Sequence, residues 1–260
     1  VRDLPADLSR ALDEVASTPS LLVASDFDGT LAPIVNNPTD ARPLPLAADA
    51  LASLAELPST AIVLVSGRAL GVLRQLAAMP ASVHLVGSHG AEFDTAGQEG
   101  SDSGNVTGFA LEVDEALLAR ITAELNAIAD GKPGVTVESK PASVALHVRN
   151  ASADDGEAAL AAAHTVGRAS GAELTEGKSV LEFAVISTDK GKAIDIMREQ
   201  VDATAAVFFG DDVTDEKAFR RMRAGDVGVK VGPGETLAGY RVESPEDVAA
   251  ALEYLLERRR

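Results

Sequence analysis

Residues 21–31 read Leu-Leu-Val-Ala-Ser-Asp-Phe-Asp-Gly-Thr-Leu. The opening residues are apolar without alternation, the pattern of a strand buried on both faces in a parallel sheet. The run then stops in two aspartates one residue apart. Open α/β sheets gather their ligands at the carboxyl ends of their strands, which is where Asp26 and Asp28 fall. A pleated strand points both side chains to one face, unless the turn at Gly29 redirects one. Two carboxylates so close repel unless a cation or a shared proton lies between them. A hard divalent ion such as Mg2+ suits oxygen donors of this kind. Asp and Gly are also common turn residues, so a solvated turn is the competing reading of this segment alone.

Three further segments repeat the theme. Residues 60–68, Thr-Ala-Ile-Val-Leu-Val-Ser-Gly-Arg, form a second buried strand ending in Ser66. The hydroxyl and the backbone N–H groups after it can hold a phosphate oxygen, although Ser66 is equally suited to cap a helix. Residues 205–216 run from Ala-Ala-Val-Phe-Phe-Gly into Asp211, Asp212, Thr214, Asp215 and Glu216. Acids at a helix start suit the helix dipole, so Thr214 or Asp215 could be a cap, but capping does not account for both Asp211 and Asp212. Residues 188–193 set Lys190 at another helix start, where a cation opposes the dipole and seeks an anion. Lys192 beside it reads as a solvated surface lysine.

In this order the four segments resemble the motif set of the haloacid dehalogenase superfamily of phosphatases. Within it, Gly-Asp-Asp-Val-Thr-Asp-Glu at 210–216, Ser-Gly-Arg at 66–68 and Gly-Ser-His-Gly-Ala-Glu at 87–92 are similar to the trehalose-6-phosphate phosphatases. So are Glu138 and Lys140, His147 to Arg149, and Gly-Lys-Ser-Val-Leu-Glu at 177–182. The spacing does not say which of Asp26 and Asp28 attacks phosphorus. The resemblance implies Asp26 as nucleophile, Asp28 as general acid and then base, Ser66 and Lys190 as phosphate holders, and an aspartyl-phosphate intermediate. It implies Mg2+ held by Asp26, Asp28 through its backbone carbonyl, Asp211 and Asp215; the residues alone do not rank Asp211, Asp212 and Asp215 as direct ligands, and the resemblance favours Asp211. Substrate contacts are expected from Ser66, Gly67, Arg68, His89, Glu138, Lys140, Arg149, Lys178 and Glu182. Taken singly, each of the last five also reads as an ordinary exposed charge on an antiparallel sheet. The expected reaction is hydrolysis of trehalose 6-phosphate. Its alternatives are the same chemistry on sucrose phosphate or a glycosyl phosphoglycerate, a mutase, or a sugar-phosphate binder without activity.

Composition narrows the partners. A net charge of −17 argues against nucleic acid and anionic membranes, whereas a small sugar phosphate needs only local positive charge. The absence of cysteine excludes disulfides and thiolate metal sites. No apolar run approaches a membrane span and no signal pattern opens the sequence, so a cytoplasmic monomer is expected. The spellings Asn-Val-Thr at 105–107 and Asn-Ala-Ser at 150–152 then carry no glycan.

Strand–helix alternation runs from a helix at 6–16 through strands near 21–25, 60–65 and 83–86. It predicts an α/β, Rossmann-like core with a parallel sheet covered on both faces. The polar, glycine-rich stretch 95–108 reads as a linker. Beyond it, helix–strand–strand occurs twice: 114–129, 135–139 and 144–149, then 154–169, 174–175 and 180–185. That rhythm predicts a small α+β unit with an antiparallel sheet. At Lys190 the strand–helix alternation returns and ends in a helix at 245–259. The expected division is a split catalytic core, 1–107 and 184–260, with an inserted cap at 108–183 that moves over the site. Gly-Lys-Ser at 177–179 is not a nucleotide-binding loop, because a strand follows where a helix should begin.

Overall fold

The computed structural model describes residues 4–94, 113–139, 143–177, 179–185 and 188–260. The stretch expected to be a linker, 95–108, lies outside them, as do Lys140 and Lys178. The chain divides into two compact units, residues 1–109 with 188–260, and residues 110–187.

The first unit begins with helix α1 (Ala6–Ala16), strand β1 (Leu21–Ser25), helix α2 (Pro45–Ala55), strand β2 (Thr60–Val65), helix α3 (Leu70–Ala77), strand β3 (Val83–Gly87) and strand β4 (Glu92–Asp94). The second unit follows with α4 (Glu115–Ala129), β5 (Thr136–Ser139), β6 (Ser143–His147), α5 (Ala153–Ser170), β7 (Glu173–Gly177) and β8 (Val180–Ala184). The first unit then resumes with α6 (Lys190–Gln200), β9 (Ala205–Gly210), α7 (Glu216–Phe219), β10 (Val227–Val231), β11 (Tyr240–Val242) and α8 (Pro245–Arg259).

The larger sheet has the order β11-β10-β9-β1-β2-β3-β4. All its pairings are parallel except that of β4 with β3. Every residue of β1 and β9 is buried, as their unbroken apolar sequences require. Alternate residues serve opposite layers. Leu21, Val23, Val207 and Phe209 share a core with α1, α2, α3 and α8. On the other face the Phe208 ring meets Phe219 of α7 at 5.3 Å. The chain leaves β1 towards β2 and returns on its other side as β9, so the direction of winding reverses at β1. The crevice beyond the carboxyl ends of β1 and β9 is where such a sheet collects a ligand.

The second unit has an antiparallel sheet of order β5-β6-β8-β7. Val144, Leu146, Leu181 and Phe183 share a core with Ile121, Leu125, Ala159 and Ala163 of α4 and α5. The intervening residues face the other way. The register sets Glu138 beside Ala145, Ala145 beside Glu182 and Glu182 beside Thr175, one row across four strands.

Candidate active site

Four of the predicted groups meet where β1 and β9 end. Asp26 is the first residue beyond β1, and its N–H donates to the Phe209 carbonyl at 2.9 Å, which ties it to the end of β9. Its carboxylate accepts from Lys190 Nζ at 2.7 Å, and the same ammonium donates to Asp215 Oδ1 at 2.7 Å. All three side chains are buried. Lys190 begins α6, where the dipole disfavours a cation, so the two carboxylates are its compensation.

Asp211, Asp212 and Asp215 divide the remaining work. The Asp212 side chain accepts from the Val213 N–H at 2.7 Å and also from the Asp215 N–H, and the Asp215 side chain accepts in return from the Asp212 N–H at 3.0 Å, a reciprocal capping pair. Asp215 therefore caps and also faces Lys190. Thr30 Oγ1 donates to Asp211 Oδ1 at 3.4 Å. Gly29 has φ +77°, and a methyl group there would overlap the Asp211 carboxylate. One carboxylate oxygen from each of Asp26, Asp211 and Asp215 lies within 4.8 Å of the other two.

Asp26 and Asp215 meet the Lys190 ammonium directly, Asp211 is partly exposed, and a second ammonium, that of Lys230, reaches only the Asp211 carbonyl, so the cluster of three carboxylates still carries surplus negative charge. Burial pushes the Asp26 carboxyl up to about 8; the Lys190 charge opposes the rise and the Asp215 charge adds to it. Burial also raises Asp211. Burial alone would depress Lys190, but the Asp26 and Asp215 charges outweigh it and its pKa lies above the ordinary lysine value. A hard cation bound by carboxylate oxygens relieves this imbalance, and the three acids fit one.

The Asp28 carboxylate does not join that cluster. It accepts from Arg68 Nε and Nη2, both at 2.6 Å, in a two-pronged pair that is part-exposed. The guanidinium also lies 5.8 Å from the centre of the buried Phe27 ring. Ser66 does not cap α3, whose N-cap is Ala69. Its buried hydroxyl instead accepts from the Arg68 N–H at 3.2 Å and stiffens the loop after β2.

The 87–92 motif is bound to this same loop. The Ser88 and His89 N–H groups donate to the Arg68 and Ser66 carbonyls at 2.8 and 2.9 Å. Ser88 Oγ donates to Glu92, and Glu92 also accepts from the Leu70 N–H at 3.2 Å. The His89 ring lies so close over Gly67 that a methyl group there would come within 2.5 Å of it. Ser66, Gly67, Arg68 and His89 are thus one construction.

In the second unit Glu138 pairs with His147 at 2.8 Å, and Glu182 accepts from Ser143 Oγ at 2.7 Å. Arg149, expected on a strand, is exposed beyond the end of β6. Sequence reasoning missed Lys230, a buried lysine of β10 that donates to the Asp211 carbonyl. Its only sequence signal is a charge inside the apolar run Val-Gly-Val-Lys-Val.

A family model described as trehalose-phosphatase matches residues 24–246. A trehalose-phosphate phosphatase of Mycobacterium avium is 35% identical over 247 residues, covering 89% of this chain and 61% of its own length. A protein of Mycobacterium tuberculosis named as an uncharacterized glycosyl hydrolase is 35% identical over 243 residues, which are 88% of this chain and 18% of that protein. The chain thus spans less than two thirds of the length of these relatives. Among solved structures, trehalose-6-phosphate phosphatase of Aspergillus fumigatus shares the fold with a TM-score of 0.69 at 24% identity, over 98% of this chain and 99% of that one. A trehalose-6-phosphate phosphatase related protein gives 0.58 at 26% identity, over 91% and 97%. The fold is the haloacid dehalogenase fold of these phosphatases. A match that starts in the strand leading to Asp26 and ends at the first turn of α8 takes in every motif described above, and the chain belongs to the trehalose-phosphatase family.

Proposed function

We propose that the chain hydrolyses trehalose 6-phosphate to trehalose and phosphate, with Asp26 as nucleophile. The observation that carries this reading is Asp26 itself, buried at the end of β1 and held by Lys190 beside Asp211 and Asp215. The relatives' names supply the sugar.

Asp26, Asp211 and Asp215 would hold Mg2+, which when bound supplies the positive charge that lets a carboxylate approach a phosphate dianion. Lys190 keeps the attacking oxygen of Asp26 in place and shares its charge. The bond from that oxygen to phosphorus forms as the bond from phosphorus to the sugar oxygen breaks. Asp28 gives its proton to the departing sugar oxygen, then accepts one from the water that attacks the aspartyl-phosphate and returns Asp26 to its starting state. Asp28 begins as a carboxylate with both oxygens accepting from Arg68, so it turns away and takes up a proton from solvent before it donates. The substrate phosphate offers Arg68 another anion to hold. Ser66 and the N–H groups after it take the remaining phosphate oxygens.

Sugar recognition is assigned to the second unit, through Glu138, Arg149 and Glu182 with Lys140 and Lys178. The row that carries Glu138 and Glu182 across Ala145 supports this assignment.

Phosphate release from trehalose 6-phosphate, compared with sucrose phosphate, glucose 6-phosphate and a small aryl phosphate, tests the reading. Turnover of the trehalose ester should exceed the others by about tenfold or more, because hydroxyl-reading sites reject poor partners strongly. Asp26→Asn should abolish it with the circular dichroism spectrum unchanged. No release from trehalose 6-phosphate, or turnover by folded Asp26→Asn, rejects the proposal.

A further inference from the structure

The peptide unit between Asp211 and Asp212 is held at both ends. Its N–H, that of Asp212, donates to Asp215 Oδ2 at 3.0 Å, and Asp215 is fixed in turn by Lys190. Its carbonyl, that of Asp211, accepts from Lys230 Nζ. The register explains the reach. Lys230 sits beside Gly210 in the β10–β9 pairing, level with the point where β9 gives way to the acidic loop.

Packing does not call for a lysine here. Val227, Val229 and Val231 supply the apolar contacts of β10 to one face of the sheet. Lys230 is on the other face, 4% exposed, where an ammonium is costly unless it is bonded. Gly210, just before the loop, has no side chain with which to restrain the backbone. We propose that Lys230 is a positioning residue for the cation site: by fixing the Asp211 carbonyl it aims the Asp211 carboxylate at the ion. Its bond goes to a carbonyl, so it occupies no carboxylate oxygen of Asp211. The proposal rests on reading Asp26, Asp211 and Asp215 as the cation site.

Charge and position make opposite demands. As a charge alone, an ammonium beside a cation site repels the ion, and its removal should tighten binding. As a positioning group its removal should weaken binding, as loss of outer-shell partners of metal ligands does. Mn2+ titration of the whole chain without substrate, followed by the electron paramagnetic resonance signal of free Mn2+, separates the two. Lys230→Met should bind Mn2+ about tenfold or more weakly than the wild type. Lys230→Arg, which keeps a cationic donor, should recover most of the loss. If Lys230→Met does not fold, Lys230→Gln, uncharged and one atom shorter, takes its place with the same expectation. Unchanged or tighter binding in the uncharged variant overturns the proposal, as does a wild type that takes up no Mn2+. A wild type that binds Mn2+ but releases no phosphate from trehalose 6-phosphate defeats the assigned reaction and leaves the role of Lys230 intact.

Discussion

Asp26 has to be an anion to attack phosphorus or to bind a cation, yet it lies where water cannot stabilise its charge. With the carboxyl raised from 3.8 to about 8 by burial, the folded chain without metal binds the Asp26 proton more tightly than the unfolded chain. The stability due to this group is therefore fully present below the unfolded value. It is lost as pH rises from about 4 to about 8. A divalent ion must displace the same proton, so its stabilising effect grows over the same range. The rise in melting temperature on adding saturating MgCl2 should be larger at about pH 8 than at about pH 5. A shift as large at the lower pH would show that Asp26 takes no part in binding the ion. Arg68 offers a second test. Lysine keeps the charge but not the two-pronged geometry, so Arg68→Lys should lower kcat/KM for trehalose 6-phosphate by about tenfold or more and leave the melting temperature within a few degrees. Wild-type kinetics in that variant would remove the Asp28 pair from the catalytic cycle. Asp26, Ser66, Lys190 and Asp211 were legible in the sequence because each stands where an apolar strand stops or a helix starts. The grip of Arg68 on Asp28 was not, since it spans 40 residues and exists only once β1 and β2 lie side by side.

The elements reached through long apolar runs were legible for the same reason, as β1, β2 and β9 show. The three-residue strands β4 and β11 were not. Glu-Phe-Asp and Tyr-Arg-Val are too short to carry a period, and their extended form is fixed by neighbours already in the sheet. The loop after β2 shows how strictly an element can constrain one residue. Its Gly67 is needed for space, because the His89 ring occupies the volume of a side chain. That ring cannot easily withdraw, since Ser88 and His89 both hold left-handed backbone conformations, at φ 49° and 54°, in a segment bonded to Ser66 and Arg68. Gly67→Ala should cost about 1–3 kcal/mol in urea unfolding, the range for forcing atoms into filled space, and should raise KM for the phosphate ester. Gly71, four residues on, is the control. It lies in the first turn of α3 with nothing within 4 Å of an added methyl group. Gly71→Ala should be neutral or stabilising by up to about 1 kcal/mol. Equal losses in the two variants would mean that the His89 ring does not set the cost.

At the scale of the whole molecule, the change from strand–helix to helix–strand–strand rhythm near 108, and the return at Lys190, is what makes the antiparallel unit visible in the sequence. Its consequence is that the antiparallel unit has a hydrophobic core of its own around Val144, Leu181 and Phe183, which shares no residue with the core around β1, β2, β9 and β10. A unit with its own core can open without the other, provided that few of its stabilising contacts belong to its neighbour. Phe183 is a decisive probe because it is fully buried and belongs to the second core alone. Removing its ring leaves a cavity that should cost the antiparallel unit about 3–5 kcal/mol. Amide hydrogen exchange on Phe183→Ala should therefore show faster exchange across α4, β6, α5 and β8, while β1, β2 and β9 keep wild-type protection. Deeply buried amides of β1 are the reference, since they exchange only when the larger sheet opens. Parallel loss of protection in both sets would show that the two cores open as one cooperative body, and that the division of the chain into two units has no counterpart in its stability.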